Sequence, residues 1–194
     1  MKKILLPIIL LMMIYGCTTF DTKDHNAAVS DSDQAIKRVA VVDFDFARPE
    51  KGRTDRGRIV RPMNAGSIMA DIFTEHLLES GLYEVVERKK IVRLLRNLEI
   101  DTGDLFAADN LKKLQDVLKV DGLIVGVVIE YGDWRGKINW GAVVGFSARL
   151  VEVDSGSVIW ATSANRDMAM TNSTVVAHAA SQDAIKDLLT QLGK

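Results

Sequence analysis

The chain has 194 residues, with 25 Lys and Arg against 26 Asp and Glu, a formal charge of −1 and one cysteine. The near-balance speaks for solubility and says little about partners. The lone Cys17 excludes an intramolecular disulfide, so the fold must hold by packing alone. The chain opens with Lys2 and Lys3, an apolar run from Ile4 to Tyr15, and Gly16. A basic start, a short apolar stretch and a small residue predict a secretory signal peptide over residues 1–16. The run is too short for a membrane span, which takes roughly 20 residues.

Ile14-Tyr15-Gly16-Cys17 resembles a bacterial lipobox. The resemblance implies that Cys17 is lipidated, palmitate included, and becomes the mature N-terminus of an envelope protein. Several buried acyl chains hold a protein firmly where one does not. Thr18 follows the cysteine where an aspartate often marks inner-membrane retention. The expected location is therefore the outer membrane, with the domain facing the periplasm. Residues 17–37 are polar and poor in large apolar side chains, and read as a flexible tether. His25 lies within it.

A single α/β domain is expected over residues 38–194. Val39-Ala40-Val41-Val42-Asp43-Phe44 is a continuous apolar run, as in a strand buried on both faces. Ala47 to Pro62 reads as a loop. A helix over Asn64–Ser80 places Ile68, Ile72, Phe73 and Leu77 on one face, with Gly81 at its end. Tyr83–Val86 reads as a short strand. Lys89–Leu98 reads as a helix with Ile91, Leu94, Leu95 and Leu98 inward. Asp109 is expected to cap a third helix carrying Leu111, Leu114 and Leu118. Leu123–Tyr131 is a central strand. Val143–Val153 and Ser157–Ala161 form a hairpin around Asp154-Ser155-Gly156. A last helix runs from Val175 to Leu192. The order β-α-β-α-α-β-β-β-α predicts a mixed sheet with helices packed on it.

Four motifs, in order, resemble the CsgG-like lipoproteins, whose namesake is the curli secretion channel. They are Val39–Phe44, the stretch Ser80-Gly81-Leu82-Tyr83-Glu84-Val85-Val86-Glu87-Arg88, Val120-Asp121-Gly122-Leu123-Ile124-Val125-Gly126, and Ala148 to Trp160. Lys119-Val120-Asp121 stands where the family often has Gly-Ala-Asp. The resemblance covers Arg38 to Ala161 and implies the family's periplasmic α/β domain. It also implies self-association, and an envelope or export partner, protein or polymer. The namesake donates two long hairpins per subunit to an outer-membrane barrel, and a spanning strand takes roughly 9–11 residues. The candidate insertions here, Glu130–Val143 and Ala161–Thr174, are short and polar, so no pore is expected. Related anchored proteins without a pore include the lipoprotein ring of the Pel polysaccharide exporter and an outer-membrane activator of a peptidoglycan synthase. The expected function is a non-enzymatic, oligomeric scaffold in envelope assembly or surface-polymer export. The runner-up is a single-subunit activator of a peptidoglycan synthase.

Candidate interaction residues fall in three places. Glu87 and Arg88 stand where a strand hands over to a helix; the carboxylate can serve the helix start alone, or a subunit contact. Arg53, Arg56, Arg58 and Arg61, with Arg48 and Lys51, make a basic loop open to phosphates or carboxylates, or simply solvated. Trp134 and Trp140 bracket a polar hairpin tip, as interface anchors or packed on their own hairpin. Trp160 reads as core. The rival reading is a haloacid-dehalogenase-like phosphatase. Asp43 and Asp45 mimic its first motif, and Gly103-Asp104 with Asp109 its acidic metal motif. The latter follows a helix where the motif needs a buried strand, so the two carboxylates are expected to pair with the basic loop. No cofactor is expected. His76 and His178 lie on separate helices with no metal-binding pattern, and no glycine-rich phosphate loop follows a strand. An exported domain leaves no role for nucleic acid.

Overall fold

The computed structural model describes residues 36–46, 53–54, 57–60 and 62–194. In chain order the strands and helices are β1 (Arg38–Val41), β2 (Asp45–Phe46), β3 (Arg53–Thr54), β4 (Gly57–Val60), α1 (Ala65–Ser80), β5 (Glu84–Val85), α2 (Arg88–Asn97), α3 (Ala108–Leu118), β6 (Gly122–Arg135), β7 (Trp140–Glu152), β8 (Val158–Ala169) and α4 (Ser173–Gln191). A short 3-10 turn, Thr102–Asp104, precedes α3. The expected mixed sheet with packed helices is present.

Strand β6 is the spine of the sheet. Along one flank it pairs in succession with β1 and β2, both parallel, and then with β4, antiparallel. Along the other it pairs with β7, and β7 with β8, both antiparallel. β5 lies outside β1, and β3 outside β4. The apolar run of β1 follows from this position. Val39 and Val41 enter one core, with α1 and α4, while Ala40 and Val42 enter a second, with α2 and α3. The first core centres on Phe44, Phe73 and Phe146, whose ring centroids are 5.8–6.1 Å apart. Trp160 is fully buried, and its Nε1–H donates to the Tyr83 hydroxyl at 3.0 Å.

Local chemistry sets the helix ends. Gly81 closes α1 in the left-handed conformation, φ +64°, with its N–H donating to Leu78 O. The Asn172 side chain accepts the Val175 N–H at 3.1 Å and caps α4. Asp133 accepts the Ser173 N–H at 2.7 Å and fastens α4 to β6. Gly66 lets α1 press on the strand connection: a Cβ there would stand 1.8 Å from Phe44 O.

Four expectations are corrected. The segment read as a loop over residues 47–62 contains β3 and β4. Asp109 lies in the first turn of α3, and Ala107 holds the cap position. The segments 130–143 and 161–174 are not insertions: β6, β7 and β8 run through them, leaving only residues 136–139 and 170–172 between elements. Ile36, assigned to the tether, is buried in the first core, and Lys37 and Arg38 N–H groups each donate to Asp121 Oδ2 at 2.9 Å. The folded part therefore begins before Arg38.

Candidate functional site

The long strands end in a tip that gathers two of the candidate groups. Arg58 of β4 stands in register with Arg135 of β6, Ile59 with Trp134, and Arg135 with Trp140 of β7. Strand β4, with Arg58 in it, thus runs beside the tryptophan tip. Arg56, Arg61 and Cys17 lie outside the described residues; Arg53 is in β3.

A register shift between Val128 and Glu130 shapes this end. Below it Ile124 and Val128 face α1 and α4; above it Tyr131 does. Burial raises the Tyr131 hydroxyl above its ordinary pKa, against the smaller opposing effect of hydrogen bonds with Thr174 and Ser173.

The two tryptophans part company. Trp134 is buried at 5% exposure, and its Nε1–H donates to Asp167 Oδ1 at 3.3 Å. Its ring lies over Gly141, where a Cβ would come within 2.7 Å of Trp134 Cζ2 and 2.3 Å of Met168 O. Trp140 is 49% exposed, beside Ile138 at 99% and Met170 at 79%. The Met170 N–H donates to Trp140 O at 2.8 Å, which brings the β8–α4 turn against the β6–β7 turn. So one tryptophan packs on its own hairpin and the other is presented to solvent with two more apolar side chains.

The Glu87-Arg88 corner departs from the capping expectation. Glu87 holds the cap position of α2, but its side chain makes no cap hydrogen bond and is exposed. Arg88 is the buried member. Its Nη2–H donates to Asp43 and its Nε–H to Asp71, while Nη1–H reaches Val41 O at 3.4 Å and Nη2–H reaches Ser67 Oγ at 3.4 Å. One guanidinium therefore ties the start of α2 to the end of β1 and to α1. Asp43, read as pairing with the basic loop, pairs with Arg88 instead. Asp43 thus has a structural task in this corner, holding the guanidinium at the end of β1.

The structure also makes a contact that the sequence reading missed. His76 of α1 and His178 of α4 meet with Nε2 and Nδ1 3.1 Å apart, and His76 Nδ1 lies 2.9 Å from Glu79 Oε2. The rings stand edge to face at 5.2 Å. The pair joins α1 to α4; among the described residues no three His, Cys, Asp or Glu side chains are grouped to hold a metal. No sequence signal points to this pair, because its members lie 102 residues apart.

Lipoprotein GNA1162 from Neisseria meningitidis shares the fold at a TM-score of 0.57 and 19% identity, over 81% of this chain and 98% of that one. A single-substitution variant of the PelC dodecamer from Paraburkholderia phytofirmans does so at a TM-score of 0.52 and 19% identity, over 80% of this chain and 87% of that one. None of the curated proteins matches the sequence. The model of the curli production assembly/transport component CsgG matches residues 26–182, and the chain belongs to that family.

Proposed function

We propose that the protein is a non-enzymatic scaffold of the bacterial envelope, anchored at the outer membrane through lipid on Cys17 and assembled from several copies. Its task is envelope assembly or export of a surface polymer. The observation that carries the reading is the apolar tip. A monomer gains nothing from exposing Ile138, Trp140 and Met170 together, and clustered exposed apolar groups mark interaction sites. Family membership and the dodecamer formed by PelC, which has the same fold, support assembly from copies.

The test is sedimentation of the full-length protein in a mild detergent. An oligomer is expected. Ile138→Ser with Trp140→Ser should shift it toward monomer at unchanged melting temperature, because a buried aromatic anchor costs about 2 kcal/mol or more on truncation. Monomeric wild-type protein at high micromolar concentration would reject assembly and favour a single tethered subunit acting on a partner. Cys17→Ser should release the protein from the outer-membrane fraction. Unchanged fractionation and palmitate labelling in that variant would reject the anchor.

A further inference from the structure

Helix α2 breaks two rules of helix electrostatics. Its ten residues include Arg88, Lys89, Lys90, Arg93 and Arg96, and no acid. Lys89 and Lys90 sit in the first turn, at the positive end of the helix dipole, where cations are unfavourable. Lys89 and Arg93 are four apart, and Lys90 and Arg93, like Arg93 and Arg96, are three apart, so like charges stand next to each other on the surface. Arg88 is neutralised by Asp43 and Asp71. The other four are exposed, and among the described residues none of them is in an ion pair or a side-chain hydrogen bond. The nearest acid in sequence, Glu87, precedes the helix and makes no cap bond.

Lys89, Arg93 and Arg96 share one stripe, about 10 Å long at 1.5 Å per residue. The stripe edges a groove between α1 and α2, of about 380 Å³, which Ser67, Asp71 and Val92 also line. Asp71 offers little repulsion there, since Arg88 holds it. Local electrostatic rules broken without compensation inside the molecule point to compensation from a ligand.

We infer that this groove binds an acidic glycan, a sugar chain bearing carboxylate or phosphate groups. A spaced row of cations matches a chain with repeated acidic groups, and Arg adds planar, two-pronged hydrogen bonding to them. A flat lipid surface does not enter a groove. A protein partner would need an apolar centre to bury; beside the stripe stands only the half-buried Val92, and the exposed Leu78 lies in the adjoining hollow, past Lys89. The inference is independent of self-assembly, because a single copy presents the whole stripe.

The experiment uses full-length protein in a nonionic detergent and fluorescent polygalacturonate, with neutral dextran and phosphatidylglycerol vesicles as competitors. Polygalacturonate should bind. Lys89→Gln with Arg93→Gln and Arg96→Gln should weaken binding about tenfold or more, and so should about 1 M salt, which shortens the screening length to about 3 Å. The control Lys112→Gln with Lys113→Gln, on α3, should leave binding unchanged. The triple variant should melt no lower than wild type, since it removes repulsion, which separates lost binding from lost folding. Absent binding, equal binding by the triple variant, equal loss in the α3 control, or displacement by the vesicles would each overturn the inference, the last by reassigning the stripe to a membrane.

Discussion

Arg88→Met removes the guanidinium from the corner where β1, α1 and α2 meet. Two charge-assisted hydrogen bonds are lost, to Asp43 and Asp71, with two longer ones to Val41 O and Ser67 Oγ. A bond to a charged group contributes about 1.5–3 kcal/mol. Breaking a fully buried ion pair costs about 3–5 kcal/mol, because the stranded charge stays dry. Here the stranded carboxylates are wet: the Asp43 side chain is 43% exposed and that of Asp71 65%. Water recovers part of their hydration, so the sum is discounted to about 2–3 kcal/mol. For a chain of this size that lowers the melting temperature by roughly 4–12 °C. Thermal unfolding followed by circular dichroism reads the shift. Arg88→Lys keeps the charge but cannot fork between two carboxylates, and should lose about half as much. In a double-mutant cycle with Asp71→Asn the coupling should be about 0.5–3 kcal/mol. A melting temperature for Arg88→Met within about 1 °C of wild type would refute the tie.

Gly66→Ala should destabilise by about 3 kcal/mol or more, since its Cβ meets the Phe44 carbonyl and the backbone must move; urea denaturation with a midpoint near wild type would contradict this. His178→Ala should cost about 1 kcal/mol for its hydrogen bond to His76, and the double variant with His76→Ala should lose less than the two single losses added, since that one bond is shared; additive losses in urea would show that the two rings act separately. Tyr131 holds its proton more tightly folded than unfolded, so its contribution to stability is complete below the ordinary tyrosine pKa of about 10 and fades as pH rises through the raised value. Tyr131→Phe should therefore flatten the alkaline decline in melting temperature, and an identical decline in both proteins would count against burial as its cause.

The sequence by itself determined the class of fold and the order of its main elements. Period-2 and period-3.6 patterns record which faces are buried, and those patterns are local: the apolar run at Val39–Phe44, the stripe of α1 and its Gly81 stop are each legible without knowledge of partners. Strands β3 and β4 escaped because segments of two and four residues with Arg53, Arg58 and Gly57 have little strand character of their own. Their pairing follows from the reach of β6 rather than from propensity. The same reach turned two expected insertions into ordinary strand.

Of the candidate site, the residue types were legible and their roles were not. Sequence marked Trp134 and Trp140 as equals, yet a one-residue difference in parity after the register shift, together with the space left by Gly141, buries one and exposes the other. Sequence marked Glu87 and Arg88 together and offered the carboxylate a place at the helix start. The fold gives the buried place to Arg88, because Asp43, 45 residues earlier, and Asp71, 17 residues earlier, arrive beside it only when sheet and helices are packed. The His76–His178 contact arises in the same way, from two helices laid side by side on one face of the sheet. Burial pattern is written along the chain, whereas ion pairs, hydrogen-bonded side chains and the exposure of a single ring are properties of distances through space.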